Sequence, residues 1–587
     1  MIEGHERDIR MQTAPIYDLK PWTATYAGHV SAELPAPAYA SLAHLVYNAS
    51  TEFADQLAFT AVVPNGMNGS MTYAQAHRYS DAFAAYLREE LKLPAGSRVA
   101  VQLPNSLAYP IVAFGVFKAG CVLVNTNPLY TTTEMAHQFK DSGAQVLVIV
   151  EMFADKLGEV LPKTDIKHVV VAKVPELFPA VPRGIIRAVQ RYWNKVLPPI
   201  TVPHTRFAEV LVAGERHLAK VRVQDYWKDI RPDAIACLQY TGGTTGVSKG
   251  AVLTHGNLLA NITQTMAMAG KYFEEGKECV LTALPLYHIF AFTVNLLCFY
   301  SIGARNVLIP SPRPVQNLQR AIENYPITWI SGVNTLFNAL LNEEWFVAFP
   351  PKHLKAALAG GTALQHVVAE RWEKVTKTRI AEGFGLTESS PVVSFNPLFG
   401  KSKPDSIGIP VPGTEVRLVD DNGAPVAVGE PGELIIRGPQ VMQGYWNKPE
   451  ETAKTIKDGW LYTGDIAVMD GEGYFKIVDR KKDMVLVSGF NVYPNEVEDA
   501  IAKMDAVMEA AVVGIPDSKS GEAVRAYVVR GEGATVNEAD VIAHCRKFLT
   551  DYKVPKSIVF RDELPKTPVG KILRKDLKAE VKKEFAK

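Results

Sequence analysis

The sequence has no apolar run long enough to cross a bilayer. The best, residues 289–300, covers about 12 positions and contains Asn295, against roughly 20 for a spanning helix. The first ten residues mix both charges without an apolar stretch, which does not read as a signal peptide. Cysteine is scarce: Cys121, Cys237, Cys279, Cys298 and Cys545 are odd in number, widely spaced and form no C-x-x-C. That excludes a disulfide framework and a thiolate zinc site, and fits a reducing cytosol. The 13 histidines form no H-E-x-x-H or His/Cys set, so no transition-metal site is expected. An excess of either charge is missing too: 63 Lys+Arg against 62 Asp+Glu leaves +1. Bulk electrostatics therefore predict no nucleic-acid partner. These absences leave a cytoplasmic protein whose membrane contact, if it has any, is peripheral.

What is present is an ordinary globular composition, 47% hydrophobic and 21% charged, over 587 residues. It excludes disorder, collagen-like repeats and a coiled coil, and the length implies about three to five structural units. Residues 1–40 are polar, contain proline and lack periodicity; they read as a poorly ordered lead-in. From 41 to 230 helical patterns alternate with short β-rich runs, through 98–103, 111–120, 122–125 and 145–150, and 231–400 repeats the style. Such alternation predicts α/β units with a mostly parallel sheet. Residues 405–480 turn to short alternating stretches and turn signals such as Asp421-Asn422-Gly423, which predict antiparallel strands or a small barrel. From 484 onward a further β/α pattern appears, with a helix over 538–549. The charged stretch Asp479-Arg480-Lys481-Lys482-Asp483 between the last two is the candidate linker. The expectation is an α/β N-terminal body over 41–481, with a β-rich subdomain over 405–480, and a small mobile α/β domain over 482–587.

Residues 233–240 read as a buried strand. It runs into Thr241-Gly242-Gly243-Thr244-Thr245-Gly246-Val247-Ser248-Lys249-Gly250, and a helix starts at Thr254-His255-Gly256-Asn257. The glycines let backbone N–H groups approach an anion, the hydroxyls add donors and Lys249 adds charge. It is not a Walker loop, because here the glycine follows the lysine. On the residues alone, a plain surface loop and a phosphate loop both stay open.

That stretch resembles the signature loop of the adenylate-forming enzymes: acyl-CoA synthetases, luciferases and peptide-synthetase adenylation domains. Further motifs of that family follow in its order. They are Leu284-Pro285-Leu286-Tyr287-His288, Gly383-Phe384-Gly385-Leu386-Thr387-Glu388 and Gly444-Tyr445-Trp446-Asn447-Lys448-Pro449-Glu450. Then come Tyr462-Thr463-Gly464-Asp465, Arg480-Lys481-Lys482 with Gly489, and Pro565-Lys566-Thr567-Pro568-Val569-Gly570-Lys571. The resemblance spans roughly 41–580. Within the family, 458–495 looks like the fatty-acid–CoA ligase signature, and 284–291 with 332–338 strengthens a bacterial long-chain type.

The resemblance implies ATP-dependent activation of a long-chain fatty acid to acyl-AMP and then, with coenzyme A, to the thioester. Two anions meet in the first step, so positioning and charge neutralisation carry the catalysis. By resemblance Lys571 bridges carboxylate and α-phosphate, and His288 lines that junction. Glu388 and Thr245 hold Mg²⁺, and Thr387 donates to a phosphate. Thr241, Gly242, Gly243, Thr244, Thr245, Gly246 and Lys249 cradle the phosphates. Gly360, Gly361 and Thr362 close over the adenine edge, Phe384 offers it a flat face, Asp465 and Arg480 take the ribose, and Lys482 is the hinge. The runs 289–298 and 332–334 supply apolar and small side chains near His288, with Phe292, Gly332 and Val333 as the acyl-pocket candidates. Taken without the motifs, His288 reads as a core histidine, Asp465 as a turn residue and Lys571 as a solvated tail lysine. An acyl-AMP or aryl-CoA ligase of the same fold, and a non-catalytic lipid-binding protein, are the alternatives, and a homodimer is left open.

One stretch asks for its own reading. Arg183, Arg187, Arg191 and Lys195 lie four apart, with Ile185, Ile186, Val189, Tyr192, Trp193 and Val196 among them and no acidic residue from 183 to 206. On a helix this gives a basic stripe beside an apolar face, suited either to an anionic membrane surface or to packing on the core.

Overall fold

The computed structural model describes residues 16–241, 248–398, 400–567 and 570–585. Two large sheets form the N-terminal body. The seven-stranded sheet is parallel apart from its last strand, with Val122–Asn125 between Arg98–Gln102 and Ile235–Thr241. Its interior strand Val146–Val150 is buried at every position, as a strand covered on both faces must be. The nine-stranded sheet runs parallel through Trp329–Gly332, Ala356–Gly360 and Ile380–Gly385. Helix Ala108–Lys118 is buried along its whole length, so the run over 111–120 is a core helix. Among the described residues no helix is long and apolar enough to cross a membrane.

The β-rich part is an antiparallel sheet built from Glu415–Val419, Gly432–Arg437, Trp460–Met469 and Phe475–Arg480, with the short Ile456–Lys457. The C-terminal domain begins with strand Val485–Val487. Its sheet carries the long hairpin Val507–Asp517 with Gly521–Arg530, packed by helices Pro494–Ala502, Glu538–Cys545 and Arg574–Phe585.

The lead-in reading fails for residues 16–40. Tyr17 and Trp22 are buried, and Trp22 packs edge-on to Phe475 at 5.9 Å. The Thr25 hydroxyl donates to the Glu472 carbonyl, and Tyr26 to the Pro410 carbonyl. The segment is a strap that closes the β-rich subdomain. Burying an aromatic side chain is worth about 2–3 kcal/mol, which outweighs the lack of periodicity.

Candidate active site

The parallel strands of both sheets end on one cleft of about 2640 Å³, the place where α/β sheets bind ligands. Strand register sets its inner wall: Gly360 is paired with Gly383 across neighbouring parallel strands. The loop Gly360-Gly361-Thr362 and the motif Gly383–Glu388 therefore open side by side, and Phe384 lines the cleft with them.

Asp465 sits on Trp460–Met469, just after Gly464, whose φ of 72° suits glycine. Its carboxylate is 2% exposed. Oδ1 is 3.0 Å from Nε of Arg480, while Oδ2 is buried without a hydrogen-bond partner. Oγ1 of Thr362 is orphaned in the same way. Burial pushes the Asp465 carboxyl up, against the pull of Arg480 and Lys571. Two unmet buried oxygens on one cleft fit a ligand rich in hydroxyl and amine donors.

Lys571 reaches this cleft from the C-terminal domain. A β-carbon on Gly361 would lie 3.1 Å from its Cε and 3.5 Å from its Nζ, so glycine at 361 leaves room for the lysine. Burial first, and the Arg480 charge second, lower the ammonium to about 8, while Asp465 and Glu388 oppose the shift. His288 is held neutral, lowered to about 3 by burial and by Lys571, and its Nδ1 accepts from the Phe290 amide at 3.3 Å. Glu388 is the middle residue of a 3₁₀ turn, Thr387–Ser389, and accepts a 2.6 Å hydrogen bond from the Tyr445 hydroxyl. A single fixed carboxylate beside phosphate is the kind of ligand Mg²⁺ uses, since it keeps several waters.

Several expectations change. The anion loop does not lead into a helix: strand Lys249–Thr254 intervenes and pairs antiparallel with Ile235–Thr241. Helix His255–Ala269 starts only afterwards, capped by Thr254. The strands on either side of the loop are therefore an antiparallel pair. Gly242, Gly243, Thr244, Thr245 and Gly246 lie outside the described residues. Lys249 is ion-paired with Glu451 at 2.5 Å and lies over the Tyr445 ring, so its charge is already partnered.

The acyl-pocket residues also move. Phe292 is fully buried with its ring against Phe117, and it does not line the cleft. Gly332 is packed under Phe337 and Leu336, and Val333 abuts Gly570, seating the lysine loop. The apolar arm is instead walled by Phe290, Val294 and Cys298, with Thr265, Ala269 and Phe273 facing them. Residues 291–298 form a π-helical stretch, on which positions four apart share a side, a local geometry frequent at functional sites. The Phe290 ring lies against Gly360, at the mouth of that arm.

Sequence reasoning assigned no role to Tyr445 or Glu451, and within the acyl-pocket run 289–298 it singled out Phe292 rather than Phe290, Val294 or Cys298. Tyr445 stood inside a quoted motif, and its spacing to Glu388 gave no sign of contact.

Comparison with known proteins bears on the whole cleft. Residues 47–446 match the family model described as AMP-binding enzyme, and 496–571 match the AMP-binding enzyme C-terminal domain. The chain is 47% identical over 566 residues to a long-chain-fatty-acid–CoA ligase of Yersinia pestis, covering 96% of this chain and 98% of that one. It is 47% identical over 564 residues to the ligase of the same description from Salmonella typhimurium, with the same coverage. A crystal structure of an anthranilate CoA ligase in complex with anthranoyl-AMP superposes with a TM-score of 0.80 at 25% identity, covering 94% of this chain and 99% of that one.

Proposed function

Because this chain belongs to the AMP-binding enzyme family, we propose that it joins a long-chain fatty acid to coenzyme A at the expense of ATP. The observation that carries the reading is the position of Lys571. The C-terminal domain delivers a half-buried ammonium between Gly361, Asp465 and Arg480 on one side and His288 on the other. That point is the head of the apolar arm behind Phe290.

A carboxylate oxygen attacks the α-phosphorus, and the P–O bond to pyrophosphate breaks. Lys571 offsets the repulsion between the two anions, most strongly in the transition state and away from bulk water. Glu388 would hold Mg²⁺, which supplies charge neutralisation on the phosphates. Asp465 would accept from the ribose hydroxyls, with Arg480 holding one of its oxygens. Phe384 and the 360–362 loop would cover the adenine. Neutral His288 would border the carboxylate without adding charge. The C-terminal domain would then turn about Lys482, and the coenzyme A sulfur would displace AMP from the acyl carbon. Each methylene taken into the arm adds about 0.8 kcal/mol, which favours long chains.

The fatty acid would come from a membrane surface. Helix Ala180–Ala188 and the turn Val189–Trp193 bury only Ile186. Trp193 is 86% and Tyr192 75% exposed, and Val181, Ile185 and Val189 are exposed beside them. Arg187 is paired with Glu151, which leaves Arg183, Arg191 and Lys195 for an anionic headgroup layer. Exposed aromatics beside such cations suit an interfacial helix.

The test is thioester formation from ATP, coenzyme A and a series of fatty and aromatic acids, repeated with Lys571→Ala. Long-chain acyl-CoA from the wild type supports the reading. The variant should lose adenylate formation yet keep thioester formation from supplied acyl-AMP. A preference for aromatic acids, or equal loss in both half-reactions, would overturn the substrate or the lysine role respectively.

A further inference from the structure

Arg574, the first residue of helix Arg574–Phe585, stands three positions after Lys571 and bridges two bodies of the protein. Within its own domain it grips Glu498, with Nε 3.1 Å from Oε1 and Nη2 2.7 Å from Oε2. It also donates to the Asn495 side chain. Its third nitrogen, Nη1, reaches out of the domain to Oδ1 of Asp479, 3.4 Å away. Asp479 lies on Phe475–Arg480, the last strand before the hinge, and its side chain is fully buried. Its other oxygen accepts the Asn495 amide at 2.8 Å, also from across the boundary.

Two polar contacts of the described lysine-loop residues with the N-terminal body go to backbone carbonyls and pair no charges. Arg313 donates to the Thr567 carbonyl at 3.4 Å, and Thr335 to the Gly570 carbonyl at 3.5 Å. A buried, hydrogen-bonded charge pair is strongly orienting, because separating it strands a carboxylate away from water. The fork on Glu498 fixes the guanidinium plane, so the reach to Asp479 depends on how the whole domain is turned.

We propose that Arg574 is a positioning residue: by spanning Glu498 and Asp479 it latches the C-terminal domain in the orientation that places Lys571 in the cleft. Turning about Lys482 releases Asp479 while Glu498 keeps the arginine. The latch therefore belongs to adenylation and not to thioester formation. This rests on the two-step reading above.

Asp479→Asn is the test, since it keeps the shape and an acceptor while removing the charge; Arg574→Lys and Arg574→Ala accompany it. ATP–pyrophosphate exchange should fall by about tenfold to a hundredfold in Asp479→Asn and Arg574→Ala, and less in Arg574→Lys. Thioester formation from supplied acyl-AMP should stay near the wild-type rate. A structural role alone would lower both half-reactions and the melting temperature together, and that result, or unchanged exchange in Asp479→Asn, overturns the latch. Should Arg574→Ala not fold, Asp479→Asn alone decides. The exchange is run with whichever acid the wild type accepts, so an unexpected acid would sink the substrate reading and leave the latch test intact.

Discussion

Arg480 holds one oxygen of Asp465 at 3.0 Å and leaves the other buried and unmet on the cleft. The ion pair fixes the carboxylate plane, and the second oxygen remains an acceptor for a ligand. A hydrogen bond to a charged group is worth about 1.5–3 kcal/mol. Asp465→Asn should therefore raise the ATP KM, and the AMP Kd by calorimetry, by about tenfold to a hundredfold. Unchanged nucleotide affinity would remove Asp465 from this role.

Lys571 must be charged to bridge two anions, and its ammonium is lowered to about 8 by burial and by Arg480. The kcat/KM for ATP in adenylation, which reports the free enzyme, should fall as pH rises through about 8. Arg480→Ala should move that limb upward. The stability effect has the opposite sign: between about 8 and the ordinary lysine value the unfolded chain binds more protons, so this group's contribution to stability rises with pH. A limb that stays put in Arg480→Ala refutes the coupling.

Val294 faces the apolar arm, whereas Phe292 faces Phe117. Val294→Phe should cut kcat/KM for long acids by about tenfold or more while sparing short ones. Phe292→Leu should cost about 1 kcal/mol of stability and leave the chain-length profile alone. The reverse pattern would restore Phe292 as the pocket residue.

Co-sedimentation with anionic vesicles at low salt tests the exposed helix. At about 1 kcal/mol for each basic side chain near such a surface, replacing Arg183, Arg191 and Lys195 with Gln should abolish binding. Trp193→Ala should weaken it, and activity on detergent-dispersed acid should persist in both. Equal sedimentation of wild type and the triple variant would reduce this helix to a solvated face.

The site residues legible in the sequence were those whose chemistry is tied to a motif with fixed neighbours: Lys571, Asp465, Arg480, Glu388 and the 360–362 loop all face one cleft. Phase inside a wholly buried run was not legible. Every side chain from Ala291 to Cys298 is buried, its polar members Thr293 and Asn295 bond to Ser390 and Thr282 outside the run, and the π-helical winding shifts the phase further. Strand Lys249–Thr254 was hidden because glycine and threonine at its ends read as turn and cap. Long-range pairings, such as Arg574 with Asp479 or Trp22 with Phe475, depend on topology and leave no local periodicity. The antiparallel character of the 405–480 region was readable because alternation and turn residues are local signals.

The strap over the β-rich subdomain also sets an order of events during synthesis. Thr25 and the carbonyl it binds on Glu472 are 447 positions apart. At about 5–20 residues per second, the ribosome needs roughly 20–90 s to supply that partner. Until then Trp22 lacks its ring partner Phe475, so a segment made hundreds of residues earlier is among the last to settle. Nascent chains stalled before residue 475 should leave the strap open to protease, and release past it should close that window.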